Sequence, residues 1–335
     1  MAEPATSTGV PSPRLVPPAK AAIELCGHSP SAARLLELVR RAAHAQANVL
    51  LVSEPGADVE LVAREIHKRG RAAAAAWVLV DCADPLAEQA LFGASGAVQP
   101  SDLEAIVDGS SVAAARGGTL FLRDVGELSA SAQSRLARIA RDREVRIDGA
   151  AVATDMRIVV AASTAVDADV RDNRLRADLY RRVAGLRIDV PPLRERAEDV
   201  PEMAARLLSD LTDDQSPPRT FTQAALALLG ALAWPGNTAE LRAVVERAAI
   251  ACGSGAAIQI EHILPALSLE RARPAFTPAG NLREARLRFE RDYIAAVLQH
   301  HGWRMAEAAQ TLGIQRPNLY RKARQLGIPV ARLAE

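Results

Sequence analysis

The chain reads as an α/β domain on a parallel sheet, followed by a helical segment and a separate C-terminal helical module. Three observations predict this. Short apolar runs alternate with helix-period segments as far as residue 190. The strand signal stops after Pro191-Pro192. Basic charge gathers at the end of the chain, where residues 281–335 hold ten Lys and Arg against five Asp and Glu, although the whole chain carries 41 against 40. With 335 residues, 49% hydrophobic and 24% charged, the composition is that of a globular protein of two or three domains.

Residues 1–24 are rich in Pro, Ala and Ser without periodicity, and a disordered tail is expected there. Residues 32–45 carry helical spacing through Ala33, Leu36, Val39 and Ala43, and 49–52 form an apolar strand. A Glu-Pro-Gly turn leads into a helix over about 60–69. Further strands are predicted at 77–80, 119–122 and 157–161, with a helix at 130–141 between the last two. Strands fully apolar in this way suit a parallel sheet covered on both faces. Beyond residue 192 the pattern gives helices at about 200–211, 222–232 and 239–251 and a short one near Ile260. The segment 273–280, with Pro274, Pro278 and Gly280, reads as a linker.

Cys26, Cys82 and Cys252 lie far apart without a neighbouring His, so they read as small buried hydrophobes and no metal site is expected. No apolar run reaches the length of a membrane span, and the Pro-rich N-terminus lacks a signal-peptide layout. A cytoplasmic protein with no membrane partner is expected.

In the last module, an amphipathic helix is predicted over 282–300, a second over 305–312 ending at Gly313, and a third from Pro317 to Leu326. The two short helices have the dimensions of a helix-turn-helix. Arg316 and Asn318 stand where base edges are reached, and Arg321, Lys322 and Arg324 suit phosphates or guanine. Leu319 and Tyr320 are expected to pack inward. The residues alone leave open a helical hairpin with an exposed basic face. The text AAQTLGIQRPNLYRKARQLGI resembles the Fis-type helix-turn-helix, which implies double-stranded DNA as a partner and dimerisation through the preceding helix.

The segment LLVSEPGADVELVAREIH resembles the phosphate loop of sigma-54-dependent activators, a branch of the AAA+ ATPases. Arg116-Gly-Gly-Thr-Leu-Phe-Leu-Arg-Asp resembles their Walker B segment, Leu175-Arg-Ala-Asp-Leu-Tyr-Arg-Arg their arginine-finger segment, and Trp234-Pro-Gly-Asn-Thr-Ala-Glu-Leu their sensor 2 helix. This resemblance implies an AAA+ P-loop-like α/β core over 25–192, a helical lid over 193–268, a linker at 269–280, a Fis-type domain at 281–328 and a short tail at 329–335. Glu54, Gly56 and Glu60 keep the loop pattern, and Arg176 and Arg182 keep the two finger positions.

The departures from the pattern fall on the chemistry. Val59 stands at the Walker A Lys and Asp58 at the preceding Gly, which puts a carboxylate where a phosphate sits. Two like charges about 4 Å apart repel by roughly 4 kcal/mol at an effective dielectric of 20. Lys68, the nearest lysine, lies about 13 Å further along the helix. Arg123-Asp124 replaces the Walker B Asp-Glu, Thr164 the sensor 1 Asn, and Ala239 the sensor 2 Arg. The loop that touches sigma-54 aligns with residues 96–101 and keeps only its first two residues. The expectation is a DNA-binding regulator whose AAA+ domain has lost ATPase activity and serves oligomerisation or regulation. No cofactor is expected, with ATP and magnesium bound only if the degenerate site retains binding, through adenine-pocket contacts around Cys26-Gly27-His28 and the lid. An ATP-hydrolysing activator of sigma-54 RNA polymerase with unusual motifs is the alternative. The finger arginines read as ion pairs across a subunit interface, or as partners of a nucleotide on an active relative. With no input domain ahead of residue 25, phosphorelay control in cis is not expected.

Overall fold

A computed structural model describes residues 23–93, 103–211, 219–253, 255–271, 303–312 and 314–326, with positions 291, 294 and 298. The expectations for residues 1–22, for the loop 96–101, for the linker 272–280 and for most of the helix 282–300 lie outside the described residues. The chain divides into two compact units, Met1–Ala272 and Arg273–Glu335.

The first unit is built on five parallel strands in the order β2-β3-β6-β1-β7. These are β1 (Val49–Ser53), β2 (Trp77–Asp81), β3 (Thr119–Arg123), β6 (Arg157–Ser163) and β7 (Leu186–Asp189). β1 lies between β6 and the edge strand β7, with Val49 beside Val159 on one side and Leu186 on the other. Its alternation divides the core in two. Leu50, Val52, Leu120, Leu122, Ile158 and Val160 face one apolar cluster, and Val49, Leu51, Phe121, Val159 and Ala161 face the other. α1 (Pro30–His44) and α2 (Val59–Lys68) cover the second cluster, and α5 (Ala130–Asp142) and α7 (Ala177–Val183) the first, with the short α3 (Ala87–Phe92), α4 (Ser111–Ala114) and α6 (Val166–Arg171). Ser29 caps α1 by accepting from the Ala32 amide at 3.0 Å, and Pro30 occupies its first turn.

Two elements carry little apolar signal and escape the sequence reading. β7 is an edge strand with only Ile188 buried, and it is defined by pairing with β1 rather than by composition. The hairpin β4 (Glu144–Ile147) to β5 (Ala150–Ala153) turns on Asp148-Gly149, both at positive φ, as two-residue hairpins require.

The same unit continues into a lid of α8 (Val200–Leu211), α9 (Gln223–Gly230), α10 (Asn237–Cys252) and α11 (Ile260–Arg271). A two-residue bridge joins β8 (Thr220–Phe221) to β9 (Ala257–Ile258), where only helices were expected. α11 is longer than expected and runs past Pro265 into the expected linker, because Ile263, Ala266 and Leu267 pack into the lid core. Trp234 is fully buried in that core and donates from Nε1 to the Leu229 carbonyl at 2.9 Å.

The expected tail boundary at residue 24 also moves. Ile23 and Glu24 are buried, since the buried Arg196 donates from Nη1 to the Glu24 carbonyl at 2.6 Å and from Nη2 to the Cys26 carbonyl at 2.5 Å. Cys82 is buried as expected, whereas Cys26 and Cys252 are only half-buried. Among the described residues, none are grouped to hold a metal and no helix is long and apolar enough to cross a membrane.

In the second unit, α12 (Met305–Thr311) and α13 (Arg316–Gln325) pack around Met305, Ala308, Ala309, Leu319 and Ala323, with Ile294 and Leu298 of the preceding helical residues. Leu319 is buried, but Tyr320 is 41% exposed, which corrects the inward placement of that ring. One residue along a helix turns the side chain by about 100°, and the packing of Leu319 and Ala323 turns Tyr320 outward.

Removing the largest buried side chain of the lid tests its dependence on one packed core. Trp234→Ala should lower unfolding free energy by about 3–5 kcal/mol in a urea titration, with loss of the Leu229 hydrogen bond included.

Candidate functional site

At the carboxyl ends of the strands, where open parallel sheets place their ligands, a cavity of about 650 Å³ lies between the β1–α2 loop, the ends of β3 and β6, and α10. Gly56 holds the loop against the lid at φ +85°, and a Cβ there would run into the Gly236 carbonyl oxygen. The Ala239 amide donates to the Gly56 carbonyl at 2.8 Å, and Asn237 Nδ2 donates to the Pro55 carbonyl at 2.9 Å. Asn237 Oδ1 in turn accepts from the Leu193 amide at 3.0 Å. The loop is therefore fastened to the lid through its own backbone.

Charge pairing reinforces this. Arg194 grips Glu54 through two bonds of 2.6 Å, and this guanidinium holds the Glu54 carboxyl below its usual range. Asp58 caps α2, accepting from the Leu61 amide at 3.4 Å, while Arg242 of α10 reaches its other oxygen at 3.3 Å. Val59 is 9% exposed and belongs to the apolar cluster beneath the loop. Glu60 turns away from the cavity toward Arg64 at 3.0 Å and Arg123 at 3.7 Å, and Arg123 also lies 3.8 Å from Asp81. Burial raises the pKa of Asp58 against the pull of Arg242, and burial together with the Asp81 charge raises that of Asp124.

Glu54, Gly56, Asp58, Val59, Arg123 and Asp124 thus meet around one cavity, as the sequence places them, and Glu60 does not line it. The carboxylates Glu54, Asp58, Asp124 and Glu246 face it against the guanidinium groups Arg123 and Arg242, both of which lie in ion pairs. This donor set does not match a magnesium polyphosphate, which needs unpaired cations and glycine amides on its oxygens. The amides near Cys26-Gly27-His28 are also engaged, since those of His28 and Ser29 both donate to Asp199 Oδ1 at 2.8 Å. Arg176 and Arg182 lie on or beside α7, outside the cavity, and Arg176 pairs with Asp178 at 2.9 Å.

Arg194, Arg242 and Glu24 were not foreseen. Arg242 stands three residues after Ala239, one helical turn beyond the sensor 2 position, and that spacing is the signal that could have found it. Glu24 carries no such signal. Its carboxyl accepts from the Asp58 amide at 2.5 Å and is fully enclosed.

In the second unit, α13 presents Arg316, Pro317, Tyr320, Arg321 and Arg324 as an exposed face, with Asn318 and Lys322 half-buried at its flank. Arg321 Nη2 donates to Asn318 Oδ1 at 3.3 Å, and the Arg316 guanidinium lies over the Tyr320 ring, 5.8 Å from its centre.

Three family models match the chain along its length. They are the sigma-54 interaction domain over residues 25–189, the AAA+ ATPase lid domain over 194–277, and the Fis family of bacterial regulatory proteins over 286–326. Among its relatives, the alginate biosynthesis transcriptional regulatory protein AlgB of Pseudomonas aeruginosa is 34% identical over 308 residues, covering 90% of this chain and 67% of AlgB. The Nif-specific regulatory protein of Azotobacter vinelandii is 34% identical over 301 residues, covering 86% of this chain and 56% of that protein. The crystal structure of NtrX from Brucella abortus in complex with ADP superposes with a TM-score of 0.62 at 29% identity, covering 91% of this chain and 69% of NtrX. A second NtrX structure, in complex with ATP, gives 0.62 at 28%. The fold and these matches define an AAA+ module joined to a Fis-type helix-turn-helix. The chain belongs to the family of sigma-54-dependent transcriptional regulators. It spans between 56% and 67% of the length of the two regulators compared.

The enclosed Glu24 generates a pH prediction. Burial pushes its pKa from 4.5 up to about 7, opposed by hydrogen bonds from the Asp58 amide and Thr238, with the Asp58 charge adding to the rise and Arg196 opposing it. The folded state therefore holds a proton that the unfolded chain has released between these values. Its stabilisation is complete below about 4.5 and lost as pH rises through about 7. Glu24→Gln keeps the acceptor oxygen and removes the titration. The variant should be more stable than the parent at pH 8, and its urea midpoint should fall less between pH 5 and 7.

Proposed function

We propose that this chain is a DNA-binding transcriptional regulator whose AAA+ domain works without ATP hydrolysis, as a scaffold for self-association or regulation. The observation that carries this reading is Asp58, which stands at a loop glycine position, caps α2 and pairs with Arg242, with Val59 buried beneath the loop. Val59, Arg123 and Ala239 stand at the positions whose family residues bind phosphate, hold the metal and sense the nucleotide. The DNA partner is supported by α13, whose open face carries three arginines and whose fold matches the Fis family. Self-association through the helix before that motif follows the Fis resemblance. Contact with sigma-54 polymerase is the less favoured part, since the 96–101 segment keeps little of the loop pattern.

The NtrX structures with ADP and ATP favour a second reading, in which this chain is an ATP-driven activator of sigma-54 polymerase. That reading requires Asp58 to give way to a phosphate and Arg123 to tolerate a metal.

Calorimetric titration of the full chain with ATP and magnesium, with phosphate release followed on the same sample, separates the two. Silence in both channels is expected, and turnover would restore the motor. For the DNA-binding reading, Arg316→Ala with Arg321→Ala should weaken binding to a mixed-sequence duplex pool about tenfold or more, followed by fluorescence anisotropy. A double variant that binds as tightly as its parent removes α13 as the DNA-reading element.

A further inference from the structure

Tyr320 is an aromatic ring at the centre of a basic helix face. Counting around α13, Arg316, Tyr320 and Arg324 fall four residues apart and form one ridge, beside the stripe of the buried Leu319 and Ala323. The ring is 41% exposed and does no core packing, although an exposed tyrosine on a short helix has little reason to be there for stability. Its one aromatic contact among the described residues is with Arg316, whose guanidinium carbon sits 5.8 Å from the ring centre. Arg316 has no carboxylate in ion-pair reach among the described residues. Arg321, by contrast, is oriented by Asn318.

An arginine in the first turn of such a helix is placed to donate two hydrogen bonds to O6 and N7 of guanine, provided its long side chain is held in one direction. A flexible guanidinium loses rotamer freedom on binding, and stacking on a ring removes part of that loss beforehand. We propose that Tyr320 is a positioning residue that holds the Arg316 guanidinium over its ring face for bidentate reading of one guanine. This rests on the DNA-binding reading above. The ring face supplies the attraction and the phenol oxygen does not, so phenylalanine should serve equally well. Neighbouring phosphate contacts by Arg321, Lys322 and Arg324 should not depend on it.

The test uses the full chain as wild type, Tyr320→Phe, Tyr320→Ala and Arg316→Ala. Wild type is taken through selection from a randomised duplex pool. All four proteins are then titrated with the selected duplex and its single-base variants at several salt concentrations. Arg316→Ala identifies the base pair read by Arg316 as the one where its preference collapses. Tyr320→Ala should lose about two- to fivefold of the preference at that base pair, with the other positions and the salt slope unchanged. Tyr320→Phe should match wild type. Full retention of the preference by Tyr320→Ala overturns the proposal, as does an equal loss at every base pair, which would mark a role in folding. If wild type enriches no sequence at all, the DNA-binding reading fails first and the positioning role falls with it.

Discussion

The geometry of the first unit depends on the tie between the β1–α2 loop and the lid. Glu54 to Arg194 and Asp58 to Arg242 are partly exposed pairs, and solvent screens their attraction. Their weight is in placement rather than in stability. The backbone bonds from Ala239 to Gly56 and from Asn237 to Pro55 set the distance, and the ion pairs fix which charges meet in the gap. A phosphate loop ordinarily offers unpaired amides and a cation. This loop offers carboxylates that already have partners.

The same tie reaches the start of the described chain. Glu24 receives the Asp58 amide, and Arg196 holds the carbonyls of Glu24 and Cys26 while pairing with Asp199 at 3.2 Å. Asp199 in turn accepts from His28, Ser29 and the Ser29 hydroxyl. A continuous polar path therefore runs from the strand ends through the N-terminal turn into the lid, and Glu24, Ser29, Arg196 and Asp199 within it are buried. Such networks are sensitive to single losses, because an orphaned buried partner costs about 1–3 kcal/mol. This makes the lid-to-core arrangement a property of the protein's own side chains.

The second unit follows a different logic. Its core is small, made from alanines, leucines and Met305, and its outward face carries arginines with few acidic neighbours. The cavity of the first unit, by contrast, is lined by Glu54, Asp58, Asp124 and Glu246.

The alternating apolar runs were enough to place β1, β2, β3 and β6 with α1, α2 and α5, because strands buried on both faces, as β1, β3 and β6 are, have to be apolar along their length. The order Val59, Arg123, Ala239 was legible for the same local reason, since each stands at a fixed offset within a motif. β7 and the Glu144–Ala153 hairpin were not, because a half-exposed strand owes its identity to the neighbour it pairs with. The outward turn of Tyr320 was decided by which residues of α13 the small core could take. The sequence by itself determined the fold class, the basic end module and the residue types at each nucleotide-site position. Only the tertiary structure decided that Arg194, Arg242 and Glu24 meet that site, because those side chains come from distant stretches of chain and, Arg242 apart, no spacing points to them.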